Sequence, residues 1–113
     1  MDKLTTNELL SKGFTIINGK WNYNGKLCVL DFYTDWCRPC KAQEMILNEL
    51  SKNYNNVEFY KINVEEEYEL AEYFSIKSVP TIIICGKETK QFFGLTQKQK
   101  IEEILKNQIE ILV

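Results

Sequence analysis

A chain of 113 residues with 44% hydrophobic and 12% aromatic residues has room for one compact domain, residues 1–113, and the apolar content to give it a core without covalent staples. Its 14 Lys and Arg against 16 Asp and Glu leave a formal charge of −2, and no long basic run marks a nucleic-acid or membrane-surface footprint. The opening residues Met1 to Glu8 carry no apolar signal core, and no later stretch approaches the ~20 apolar residues of a membrane span, so the expectation is a soluble cytoplasmic protein; a monomer is expected as well.

In chain order, Thr5 or Thr6 through Lys12 reads as a short helix stopped by Gly13, and Phe14 to Ile17 as a first strand. The segment from Asn18 to Lys26 is rich in turn formers and reads as a loop, with Trp21 and Tyr23 folding back as packing anchors. Leu27 to Tyr33 is apolar almost throughout, as in a central strand covered on both faces. A helix from about Pro39 to Lys52 repeats apolar residues at Ala42, Met45, Ile46 and Leu50. A strand from Val57 to Val64 and a helix from Glu65 to Phe74 continue a β-α-β-α order. Thr81 to Cys85 and Thr89 to Phe93 read as a hairpin turning near Gly86-Lys87. Thr96 to Gln99 resembles a capping box for a last amphipathic helix carrying Ile101, Ile104, Leu105 and Leu112.

Chemistry concentrates at Trp36-Cys37-Arg38-Pro39-Cys40, where the central strand hands over to a helix. Two cysteines at this spacing can close a small disulfide ring, and Pro39 restricts the backbone shapes the ring can take. Pro39 suits a first helical turn, where a missing N–H costs nothing. Cys37 then lies where unpaired N–H groups and the helix dipole favour an anion, which makes it thiolate-prone, and thiolate is the nucleophile of disulfide exchange. The competing reading is half a zinc site. With no histidine, the remaining ligands would have to be Cys28 and Cys85 or carboxylates, so redox chemistry is preferred and no metal or bound cofactor is expected. Cys28 and Cys85 fall in strands and read as small buried hydrophobes. Asp31, a charge inside an apolar strand, is either a structural aspartate at a strand end or a functional one.

The residues Asp31-Phe32 with Trp36-Cys37-x-Pro39-Cys40-Lys41, Lys61 in the next strand, Val79-Pro80-Thr81, and Gly94 before the last helix together resemble the thioredoxin family, from about Leu27 to the C-terminus. The resemblance implies a thioredoxin fold, a central mixed β-sheet flanked by helices. It departs from the usual pattern at Arg38, where the family commonly has Gly, at Met45 in place of a helix proline, at Tyr33 in place of Trp, and in a shorter segment from Pro80 to Gly94.

The implied activity is reduction of protein disulfides: Cys37 attacks, Cys40 resolves, and Asp31 accepts the Cys40 proton. The resemblance also implies a cis bond before Pro80 that sets the Val79 backbone beside Cys37 to pair with an extended substrate. Trp36 and Arg38 would shape the contact surface, with Lys61 a modulator of Asp31 or simply a solvated strand lysine. A thioredoxin-reductase-type partner, commonly a flavoprotein using NADPH, would recharge the pair. An Arg38 charge about 6 Å from the Cys37 sulfur would raise the reduction potential on the order of 15 to 60 mV. The alternatives are a disulfide isomerase or oxidase, and a non-catalytic binding subunit that keeps the fold as a scaffold.

Overall fold

The computed structural model describes the backbone of residues 1–112 and the side chains of residues 1–110. A two-residue strand, β1 (Asp2–Lys3), precedes helix α1 (Thr6–Leu10). Thr5 caps α1 in a reciprocal box with Glu8, which satisfies two otherwise orphaned N–H groups. The helix ends earlier than the Lys12 expected from the pattern.

Strand β2 (Phe14–Ile17) is as expected, but the following segment is not a loop: β3 (Lys20–Tyr23) pairs antiparallel with β2, Ile17 opposite Lys20 and Phe14 opposite Tyr23. The two-residue turn is Asn18-Gly19, with φ of 54° and 75°, the positive values that a tight hairpin turn of this hand requires. Trp21 and Tyr23 are nonetheless packing anchors. Trp21 stacks on Phe74 at 4.7 Å between ring centroids, and Tyr23 lies 4.2 Å from Phe14.

The remaining elements are β4 (Cys28–Tyr33), α2 (Arg38–Ser51), β5 (Glu58–Asn63), α3 (Tyr68–Tyr73), β6 (Thr81–Cys85), β7 (Thr89–Phe93) and α4 (Lys98–Leu112). Helix α3 starts three residues later than its acidic first turn suggests. Asn63 Oδ1 accepts the N–H groups of Glu65 and Glu66, holding them in a turn, while Glu67 reaches Thr6 N–H at 2.7 Å. At α4, the carbonyl of Gln97 is the acceptor for Lys100 and Ile101, and the Thr96 hydroxyl donates instead to Gly94 O. The apolar contact expected of Leu112 lies outside the described side chains.

The main sheet runs β1-β5-β4-β6-β7, with β1, β5 and β4 parallel and β6 and β7 antiparallel, the mixed central sheet flanked by helices that was expected. Alternation along β4 builds both cores. Cys28, Leu30 and Phe32 face the cluster with Leu9, Phe14 and Leu70, under α1, α3 and the small hairpin. Val29 faces the other, with Leu47 and Leu50 of α2 and Ile101 and Leu105 of α4. Each such leucine, fully buried, contributes about 2 kcal/mol. Asp31 shares the face of Val29, and that parity delivers its carboxyl beneath α2.

Candidate redox site

Strand β4 ends at Tyr33, and four residues later Cys37 is the N-cap of α2. Its Sγ accepts the Cys40 N–H at 3.2 Å, so a sulfur takes the role a serine oxygen usually fills at a helix start. Pro39 occupies the second helical position, where no intrahelical donor is lost. Cys37 and Cys40 form a disulfide with Cα atoms 5.2 Å apart. Both are buried, yet they meet different surroundings. Cys37 lines a cleft of about 550 Å³, whereas Cys40 lines a smaller polar cleft of about 90 Å³ on the other side.

The larger cleft has a mainly apolar floor of Pro39, Val64, Ile76 and Val79, with Trp36, Arg38, Glu65 and Lys77 around it. Trp36 is 72% exposed, and its indole N–H donates to Glu65 Oε1 at 3.0 Å, which fixes a large flat side chain against solvent beside Cys37. The Val79–Pro80 bond is cis. Pro80 is buried, and its carbonyl accepts the N–H of Gly94, whose φ of 80° is accessible to few other residues. Trp36, Arg38, Pro39 and Val79 are therefore brought together around Cys37, whereas Pro80, next to Val79, is buried and does not line the cleft. Among the cleft residues, Glu65, Ile76 and Lys77 escape sequence reasoning, although the last two adjoin the Pro80 loop.

Asp31 is fully buried, and neither of its carboxylate oxygens has a hydrogen-bond partner among the described residues. Burial pushes its carboxyl up to about 7, with the Glu44 charge adding to the rise and Lys61 opposing it. Lys61 is opposite Asp31 in the parallel β4–β5 register, but its ammonium is bound elsewhere, 2.7 Å from Glu44 Oε1 and 5.4 Å from the Tyr33 ring centroid. Glu44 is thus a site residue that helix periodicity alone hides, since its position on α2 looks like any solvated glutamate. Its bond holds the Lys61 ammonium above the usual lysine value.

Cys28 and Cys85 face each other across β4 and β6, both buried, at the end of β4 remote from Cys37. They are therefore not gathered with the CxxC pair, and among the described residues no group of three or more His, Cys, Asp or Glu is placed to hold a metal ion.

The family model described as thioredoxin matches residues 17–107. The chain belongs to the thioredoxin family. A thioredoxin of Borreliella burgdorferi is 34% identical over 110 residues, covering 92% of this chain and 93% of the relative. One of Mycoplasmoides gallisepticum is 34% identical over 83 residues, covering 72% of this chain and 83% of the relative. The solved thioredoxin of Fasciola hepatica superposes with a TM-score of 0.77 at 31% identity, over 96% of this chain and 99% of that one. The fold is the thioredoxin fold, and the paired cysteines at the start of α2 make the chain a thiol–disulfide oxidoreductase of that family. No described helix is long and apolar enough to cross a membrane.

Proposed function

We propose that this thioredoxin-family protein reduces disulfides in other proteins. The observation that carries the reading is the placement of Cys37: an N-capping sulfur at the head of a 14-residue helix, at the edge of an open apolar cleft that an extended segment can enter. The helix N-terminus favours the thiolate over the thiol, and the thiolate attacks.

In the first step, the reduced protein's Cys37 thiolate attacks one sulfur of a substrate disulfide. A bond forms between Cys37 and that sulfur, and the other substrate sulfur leaves with the electron pair. In the second step, Cys40 gives its proton to the Asp31 carboxylate and attacks Cys37 Sγ. The mixed disulfide breaks, the substrate leaves as a dithiol, and the protein is left as the Cys37–Cys40 disulfide. Asp31 suits this role because a base near pH 7 takes a proton at neutral pH and returns it readily. Trp36, Arg38, Val79 and Pro80 hold the substrate segment, Pro39 shapes the ring, and Lys61 acts on Asp31 from the next strand. An NADPH-dependent flavoprotein of the thioredoxin-reductase type supplies the two electrons for the next cycle. A cytoplasmic monomer is the form this reading requires.

Turnover of a protein disulfide such as that of insulin by the dithiol-reduced protein tests it. Rapid reduction that disappears in Cys37→Ser supports a reductase. Failure to reduce any protein disulfide, with a biological role that survives in the Cys37→Ser, Cys40→Ser double variant, would favour the scaffold reading.

A further inference from the structure

The polar side of the site gathers several charges, and the Lys61 ammonium is shared unequally between the Asp31 and Glu44 carboxylates. Asp31 and Lys61 are register partners on adjacent parallel strands, so their side chains emerge on the same face of the sheet. That is the arrangement in which a lysine would be expected to neutralise a buried aspartate. Instead, Lys61 Nζ lies 2.7 Å from Glu44 Oε1, and both Asp31 oxygens are left without a partner among the described residues. The choice has a physical cause. The Lys61 and Glu44 side chains are 25% and 34% exposed, so the ammonium keeps part of its hydration there, whereas pairing at the fully buried Asp31 would strip it.

We propose that Glu44 is a positioning residue for the proton transfer at Asp31, holding the Lys61 ammonium toward α2 so that the Asp31 carboxyl works without a counter-ion. The proposal rests on the reading of Asp31 as the proton acceptor of Cys40. The groups that act on Asp31 are few. Helix α2 contributes Glu44, β5 contributes Lys61, and β6 contributes the uncharged Ile82 opposite Asp31. Cys40, Asp35 and Lys41 line the small cleft that Glu44 and Lys61 also line. With Glu44 in place, Asp31 enters the resolving step as a carboxylate without a counter-ion, which makes it the better base. It then takes the Cys40 proton as the Cys40 sulfur bonds to Cys37 and the substrate sulfur departs with the electron pair. Without Glu44, Lys61 is released to approach Asp31, and the carboxylate becomes too weak a base to do this well at neutral pH.

The decisive experiment follows the Asp31 side-chain carboxyl by ¹³C NMR titration in the oxidised full-length protein, its Glu44→Gln, Glu44→Asp and Lys61→Gln variants, and the Glu44→Gln, Lys61→Gln double variant. The expected result is an Asp31 midpoint lower by about one pH unit in Glu44→Gln, largely restored in Glu44→Asp. In the Lys61→Gln background the Glu44→Gln change should shrink to the part that the Glu44 charge exerts on Asp31 directly. An unmoved midpoint in Glu44→Gln overturns the proposal. So does a shift that persists undiminished without Lys61, because Glu44 would then act through its own charge. The same variants are assayed for release of substrate thiol from the Cys37 mixed disulfide across pH, and the Glu44→Gln profile should move in the same acidic direction. A moved titration with an unmoved release profile would overturn the assignment of Asp31 to proton transfer, and with it Glu44's part in the reaction. An unmoved titration in a protein that still reduces disulfides overturns the role of Glu44 alone.

Discussion

Gln43 and Thr96 clasp the two long helices together through two buried hydrogen bonds. Gln43 Nε2 donates to Thr96 O at 3.1 Å, and Thr96 N–H donates to Gln43 Oε1 at 2.7 Å. A side-chain amide here serves the chain just before α4 as a neighbouring strand would, and it lies one helical turn from Cys40. Gln43→Ala strands a buried N–H and a buried carbonyl together, at a cost of about 2 to 4 kcal/mol. Urea unfolding should show the midpoint falling by the corresponding amount with the slope unchanged.

Asp31 makes the protein less stable as pH rises. Its folded carboxyl stands at about 7 against an ordinary 3.8, so between those values the folded state binds more protons than the unfolded one. Stability is therefore highest at the acidic end of that window and declines as pH climbs through 7. Three pH units correspond to up to roughly 4 kcal/mol. Asp31→Asn, which cannot ionise, should be more stable than the parent by about 2 to 4 kcal/mol at pH 8 and about equal to it near pH 4. The same variant should release substrate from the mixed disulfide more slowly. Denaturant melts at the two pH values check the first expectation, and single-turnover release checks the second.

Cys28 and Cys85 are expected to be chemically silent in the folded protein. Both are buried, which shuts reagents out; their mutual hydrogen bond pushes the Cys85 thiol up and the Cys28 thiol down, so lack of access rather than titration silences Cys28. After mild reduction, a small alkylating agent should label Cys37 first and leave Cys28 and Cys85 unlabelled until denaturant is added. Peptide mass mapping distinguishes the four sites. Native-state labelling of Cys85 at a rate near that of Cys37 would contradict a sealed core at that end of β4.

Arg38 is exposed at the first position of α2, beside the redox pair. A cation there favours the Cys37 thiolate and hence the reduced form, which raises the potential. Because solvent surrounds it, the lower end of the Coulomb range applies, about 0.7 kcal/mol at ~6 Å in water's dielectric. Arg38→Gly should therefore make the protein more reducing by about 15 mV, read against a glutathione or dithiothreitol series. A change beyond about 60 mV would mean that Arg38 acts through more than its charge.

Much of this protein is written locally. The Cys37-x-Pro39-Cys40 spacing, the apolar run of β4 and the periodicity of α2 identify the strand-to-helix handover, because each depends on residues a few positions apart. The hairpin of β2 and β3 reads as a loop in the sequence: Asn18-Gly19 is a strong two-residue turn signal, but the surrounding turn formers mask it. Strand β1 is not legible either: two residues, Asp2 and Lys3, carry no pattern, and only the exposed edge of β5 makes them a strand. The start of α3 was decided by Asn63 and Thr6, each drawing backbone or side-chain groups that composition assigns to the helix.

At the site, the sequence by itself determined which two sulfurs pair, because Cys37 and Cys40 are close neighbours in the chain. What it left open is which charges Asp31 meets. That depended on three elements far apart in sequence, β4, α2 and β5, arriving at one buried place where a single ammonium chooses between two carboxylates. Electrostatic energy depends on distance and on the water retained around each charge, and both are set only when the chain is folded.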